Sequence, residues 1–97
     1  MAIYQYPFRD ADEATKRAVW NKGRIIPGYD ANVWRCDACN SVIYYADHGN
    51  TGSKHGWEID HIVPTAKGGR TVMDNLQPLQ WETNRRKGDQ YPWSCNS

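Results

Sequence analysis

Trp57-Glu-Ile-Asp-His-Ile-Val-Pro64 is the most informative stretch of this 97-residue chain. From Trp57 to His61 apolar and polar residues alternate, which is the period of a half-buried strand, and Pro64 has no amide hydrogen to continue a ladder. Thr65–Arg70, with Gly68-Gly69, reads as a loop. Asn75–Leu79 reads as a second short strand. Trp81–Lys87 reads as a short helix that stops at Gly88, with basic residues in its last turn. The last third should therefore run strand, loop, strand, helix.

Working outward, Asp10-Ala-Asp-Glu13 has the form of a capping box with Asp10 at the N-cap. It predicts a helix over Ala11–Lys22, with Ala14, Ala18 and Val19 inward and Gly23 as the stop. Val33–Cys36 and Ser41–Tyr45 read as two short strands joined by the knuckle Cys36-Asp-Ala-Cys39, and 47–56 (DHGNTGSKHG) as a loop. The expected class is α+β: a single small domain over residues 1–97, with the helix and the knuckle ahead of the strand–loop–strand–helix unit.

Twelve Lys and Arg face eleven Asp and Glu, a formal charge of +1. A duplex-binding face must then be local, because displacing phosphate counterions takes clustered cations. No apolar run approaches a membrane span, and Met1 to Phe8 lacks the basic and apolar segments of a secretory leader. An intracellular protein without a membrane partner is expected. Three cysteines, two of them in Cys36-x-x-Cys39, argue against a disulfide framework.

Asp60 and His61 are adjacent tools of different kinds. The carboxylate suits a hard divalent ion, and an imidazole, which titrates near pH 6.5 in water, suits a general base. Alone, such a pair is most often an ordinary surface dipeptide. Asn84 sits in a helical stretch where Asn has no propensity advantage, so its amide oxygen is available to complete a site that Asp60 begins. Arg85, Arg86 and Lys87 form the densest positive run. The bland reading of that run is a basic last turn that answers the helix dipole.

Taken together, Trp57–Pro64, Gly68-Gly69, Asn75-Leu-Gln-Pro-Leu79 and Asn84-Arg-Arg-Lys-Gly-Asp89 resemble the HNH endonuclease family over residues 57–89. The ordered set is far more specific than any one piece. The resemblance implies a ββα-metal unit with His61 as the base that activates water and Asp60 as a metal ligand. It implies Asn75 as the residue that holds the loop and orients the base. Asn84 stands where the name-giving motif ends in His, so the chain is similar to the H-N-N branch, in which that Asn is the second ligand. A guanidinium matches the geometry of a phosphate, so Arg85 or Arg86 is the expected clamp, with Arg85 assigned to the catalytic set. Arg85, Arg86, Lys87, Lys67 and Arg70 are candidate DNA contacts.

Two departures matter. Asn84 in place of His leaves hard oxygen donors, which favours one Mg²⁺ or Mn²⁺ at the catalytic position over Zn²⁺. Many relatives also close a structural zinc site with two CxxC pairs; the second would fall on Gln80 and Thr83, which cannot replace thiolates. Cys36 and Cys39 are then half of a zinc site, to be completed by Cys95, His48 or His55, or else a reduced, part-buried remnant. The remnant is the expected state.

The implied activity is metal-dependent hydrolysis of DNA phosphodiesters, nicking as a monomer and leaving 5′-phosphate and 3′-hydroxyl ends. By analogy with relatives of this size, a larger phage or restriction protein is a candidate partner. The rivals are a catalytically silent nucleic-acid-binding module on the same scaffold and a stand-alone zinc-knuckle interaction domain.

Overall fold

A computed structural model describes residues 4–96 and has the expected α+β architecture. The elements are α1 (Glu13–Trp20), β1 (Arg24–Ile25), β2 (Trp34–Cys36), β3 (Val42–Tyr44), β4 (Trp57–His61), β5 (Leu76–Gln80) and α2 (Trp81–Lys87). The first three strands form an antiparallel sheet in the order β1-β2-β3. β4 and β5 form a separate antiparallel pair, in register from Trp57 opposite Gln80 to His61 opposite Leu76.

The first helix begins later than the sequence suggests. Asp12, not Asp10, is the cap: its backbone is extended, and its side chain accepts from the Thr15 amide at 2.7 Å. The inward face also differs in part: Val19 and Trp20 are buried, Ala18 is half-buried and Ala14 is exposed. At the carbonyl end the buried Arg35 guanidinium donates to the backbone oxygens of Asn21, Gly23 and Ala31. A cation is favoured there because unsatisfied carbonyls carry the negative end of the helix dipole. Trp20 adds an indole N–H to the Ala31 carbonyl at 2.8 Å.

The core is aromatic and lies between α1 and β4. Tyr6, Val19, Trp20, Ile43, Trp57, Ile59 and Leu76 pack together, with Trp20 and Trp57 ring centroids 5.2 Å apart. β4 was expected to be half-buried, yet its first four residues are all buried. Trp57 and Ile59 face the core, while α2 side chains bond to Glu58 and Asp60 on the alternate positions. Alternation here separates apolar from ionic burial, not inside from outside.

The knuckle Cys36–Cys39 turns the chain from β2 toward β3, and its chemistry differs from the expected one. Cys39 is disulfide-bonded to Cys95, and Cys36 is free and buried. A disulfide sulfur is not a thiolate, so Cys36 and Cys39 are neither half of a zinc site nor a reduced pair. The turn is held by Asp37. Its carboxylate accepts from the Cys39 and Ser41 amides at 2.9 Å each and from the Gln80 amide at 2.8 Å. Gln80, where a zinc-binding relative would carry cysteine, caps α2 by accepting from the Thr83 amide at 3.1 Å.

The loop between β4 and β5 contains two 3₁₀ turns, Thr65–Lys67 and Met73–Asn75. Gly69 is required by close approach, since a Cβ there would lie 1.7 Å from the Val63 carbonyl oxygen. From the end of α1, the Lys22 ammonium donates to the Leu76 carbonyl at 2.8 Å and also to the Met73 carbonyl. The N-terminal part thus braces the loop from behind.

Candidate active site

Asp60, His61, Asn84 and Arg85 line one cleft of about 380 Å³, together with Tyr4, Ile59 and the Pro64–Ala66 segment. β4 delivers the first two at its C-terminal end, where the strand finishes against the loop, and α2 delivers the other two. The strand–loop–strand–helix order thus brings residues more than twenty positions apart to a common surface.

Asp60 is 6% exposed. It accepts from Gln77 Nε2 at 2.9 Å and from Lys87 Nζ at 3.2 Å. Burial holds its pKa above the ordinary carboxylate value, a rise that the Gln77 hydrogen bond and the Lys87 charge offset only in part. Lys87 Nζ also donates to the His61 carbonyl at 2.9 Å. At 2% exposure Lys87 is buried and its charge is spent on Asp60, so it does not face a phosphate as the sequence suggested. The lysine ends α2 on the side that packs on β4, and an ammonium can be buried there only because a carboxylate meets it.

His61 is partly exposed. Its Nε2 lies 2.8 Å from Thr71 Oγ1, and its ring centroid is 5.2 Å from that of Phe8. Asn75 spans the loop: its Oδ1 accepts from the Val63 amide at 2.9 Å, and its Nδ2 donates to the carbonyls of Val63 (3.0 Å) and Arg70 (2.8 Å). Its own carbonyl accepts from the Ile62 amide at 2.8 Å, one residue beyond His61. Asn75 therefore ties both ends of the loop beside the histidine, from just outside β5.

Asn84 is 7% exposed and donates Nδ2 to Glu58 Oε1 at 2.9 Å. Arg85 pairs with the same carboxylate, Nη2 to Oε2 at 2.8 Å, while its guanidinium lies 4.5 Å from the Tyr4 ring centroid. Arg86, Lys67 and Arg70 are exposed; Arg86 lies 5.8 Å from the Trp93 ring. Asp60 and Asn84 share the cleft without bonding to each other, each held by its own partners.

Sequence reading missed Glu58, a carboxylate with no exposed surface. The signal was present: alternation places Glu58 on the same strand face as Asp60. It also missed Gln77, directly opposite Asp60 in the ladder, and Thr71 beside the histidine.

A family model, HNH endonuclease, matches residues 36–90. The chain belongs to the HNH endonuclease family. The match covers more than half of the sequence and begins at Cys36, so this HNH unit takes in the knuckle as well as the hairpin and helix. No curated protein and no solved structure gives a match. Among the described residues of this HNH chain, no helix is long and apolar enough to cross a membrane.

The HNH fold implies a divalent ion, and the donor set can be tested against it. Among the described residues no three His, Cys, Asp or Glu side chains converge. A closed all-protein cage is therefore not what these residues build. A buried carboxylate and an amide on one open cleft fit a divalent ion that takes its remaining ligands from water or substrate oxygens.

Proposed function

We propose that the chain acts as one HNH nuclease domain that hydrolyses phosphodiester bonds of DNA. The observation that carries this reading is the convergence of Asp60, His61 and Asn84 on one cleft within a family-matched ββα unit. His61 is the general base. In the tautomer that carries its proton on Nε2, facing Thr71 Oγ1 at 2.8 Å, Nδ1 keeps its lone pair and takes the proton from water. Asn75 fixes the loop that carries Thr71 and so orients the ring.

Asp60 and the Asn84 amide oxygen would hold one Mg²⁺ or Mn²⁺, which would stabilise charge on the scissile phosphate and the leaving 3′ oxygen. Arg85 is anchored to Glu58 through Nε and Nη2, which leaves Nη1 for a non-bridging phosphate oxygen. Lys67, Arg70 and Arg86 supply exposed charge for neighbouring phosphates. With a formal charge of only +1, binding should be modest and should weaken steeply with salt. One such site cuts one strand at a time, leaving a 5′-phosphate and a 3′-hydroxyl.

Supercoiled plasmid incubated with Mn²⁺, with Mg²⁺ or with EDTA tests the proposal. Metal-dependent conversion to open circles is the expected result; retarded but intact plasmid in every lane indicates a silent binding module. His61→Ala should lose at least ~10² in rate while still binding DNA. Cleavage by that variant at the parental rate would remove His61 from the mechanism.

A further inference from the structure

We infer that Glu58 is a positioning residue that selects which end of the Asn84 amide faces the cleft, and so sets the metal affinity. The inference rests on the proposed role of Asn84. An asparagine side chain presents a carbonyl oxygen on one side and an NH₂ group on the other, nearly identical in shape but opposite in function. Only the oxygen can bind a cation. Glu58 is wholly buried, and its Oε1 lies 2.9 Å from Asn84 Nδ2. A carboxylate paired with a guanidinium can only accept, so it attracts the NH₂ end and repels the oxygen.

Arg85 keeps the selector in place. Its guanidinium spans both oxygens of Glu58, with Nη2 to Oε2 at 2.8 Å and Nε to Oε1 at 3.4 Å, so the charge is compensated and the side chain cannot rotate without breaking the pair. β4 places Glu58 two residues before Asp60, on the same face, against the turn of α2 that carries Asn84. One proposed ligand is thus held by Gln77 and Lys87, and the other is oriented by Glu58.

The substitution that isolates this role is Glu58→Gln, which keeps the shape but offers a donor as readily as an acceptor. The amide of Asn84 would then sample both orientations, and the pairing with Arg85 would weaken. Mn²⁺ binding in the absence of DNA, followed by electron paramagnetic resonance or calorimetry, should weaken about 10-fold or more, the usual effect of losing a partner that orients a metal ligand. Asn84→Asp presents an oxygen at either end and so removes the choice; on that background, adding Glu58→Gln should cost no Mn²⁺ affinity.

Asp60→Asn separates this inference from the reading beneath it. If Asp60→Asn binds Mn²⁺ like the parent, the assignment of the metal site itself fails. If Asp60→Asn weakens binding but a folded Glu58→Gln variant stays within twofold of the parent, Glu58 has no orienting role. Should Glu58→Gln alone unfold, the Asn84→Asp background decides: a folded Glu58→Gln/Asn84→Asp that binds Mn²⁺ at least as well as Asn84→Asp supports the orienting role, and one that binds about 10-fold more weakly overturns it.

Discussion

Most of the ionisable side chains that matter here are partnered below the surface, and His48 shows what that does to pH dependence. Its Nε2 is 2.8 Å from the Tyr6 hydroxyl, and it packs 4.9 Å from the Trp57 ring centroid. Burial pushes its pKa down to about 4, with the Lys16 charge acting in the same direction. A histidine depressed in the folded state is protonated first in the unfolded chain, so its contribution is full above the unfolded value, near 6.5, and is lost as pH falls toward about 4. The urea midpoint should therefore drop across that window, and His48→Gln should flatten the drop. A midpoint equally pH-dependent in both proteins would put the acid sensitivity elsewhere. At this scale the sequence was only partly legible. Asp60, His61 and Asn84 were singled out by residue type and by the family resemblance, and the fold places all three on one cleft. The assignment of Lys87 as a phosphate contact, by contrast, failed because a basic run does not say which of its members points back at the strand.

The hairpin and its helix were the most legible elements. β4 and α2 fall where alternation, Pro64 and Gly88 place them, and β5 begins one residue later than expected. That single residue is Asn75, whose side chain is recruited by the loop before the strand can begin. The first helix was misplaced by two residues for a related reason: two aspartates compete for one cap, and only the folded chain shows which reaches the Thr15 amide. Asn75→Ala removes three side-chain hydrogen bonds, two to Val63 and one to Arg70. It should cost about 1–3 kcal/mol, because the Val63 amide is part-buried and loses its acceptor. Amide hydrogen exchange should accelerate in residues 62–75 while α1 is unchanged. Uniform acceleration through the chain would mean that Asn75 supports the whole fold and not the loop alone.

Over the whole molecule, the least legible feature was the covalent one. Cys39 and Cys95 are 56 residues apart in sequence, and no spacing rule links a knuckle to a tail. Oxidising surroundings keep such a bond closed and a reducing cytosol opens it, which bears directly on the intracellular reading drawn from the N-terminal sequence. In the chain-entropy description, closing a loop of this length stabilises the fold by up to about 4 kcal/mol. Cys95→Ser should therefore lower the melting temperature, and dithiothreitol should lower it in the parent but not in the variant. Equal sensitivity of both proteins to the reductant would exclude the Cys39–Cys95 pairing.

The two sulfurs also flank the entire hairpin, loop and second helix. The segment that would meet DNA is thus a closed ring of main chain, and a protease that nicks it once between residues 40 and 94 releases no fragment. Such a break would pass unnoticed on a denaturing gel until the disulfide was reduced.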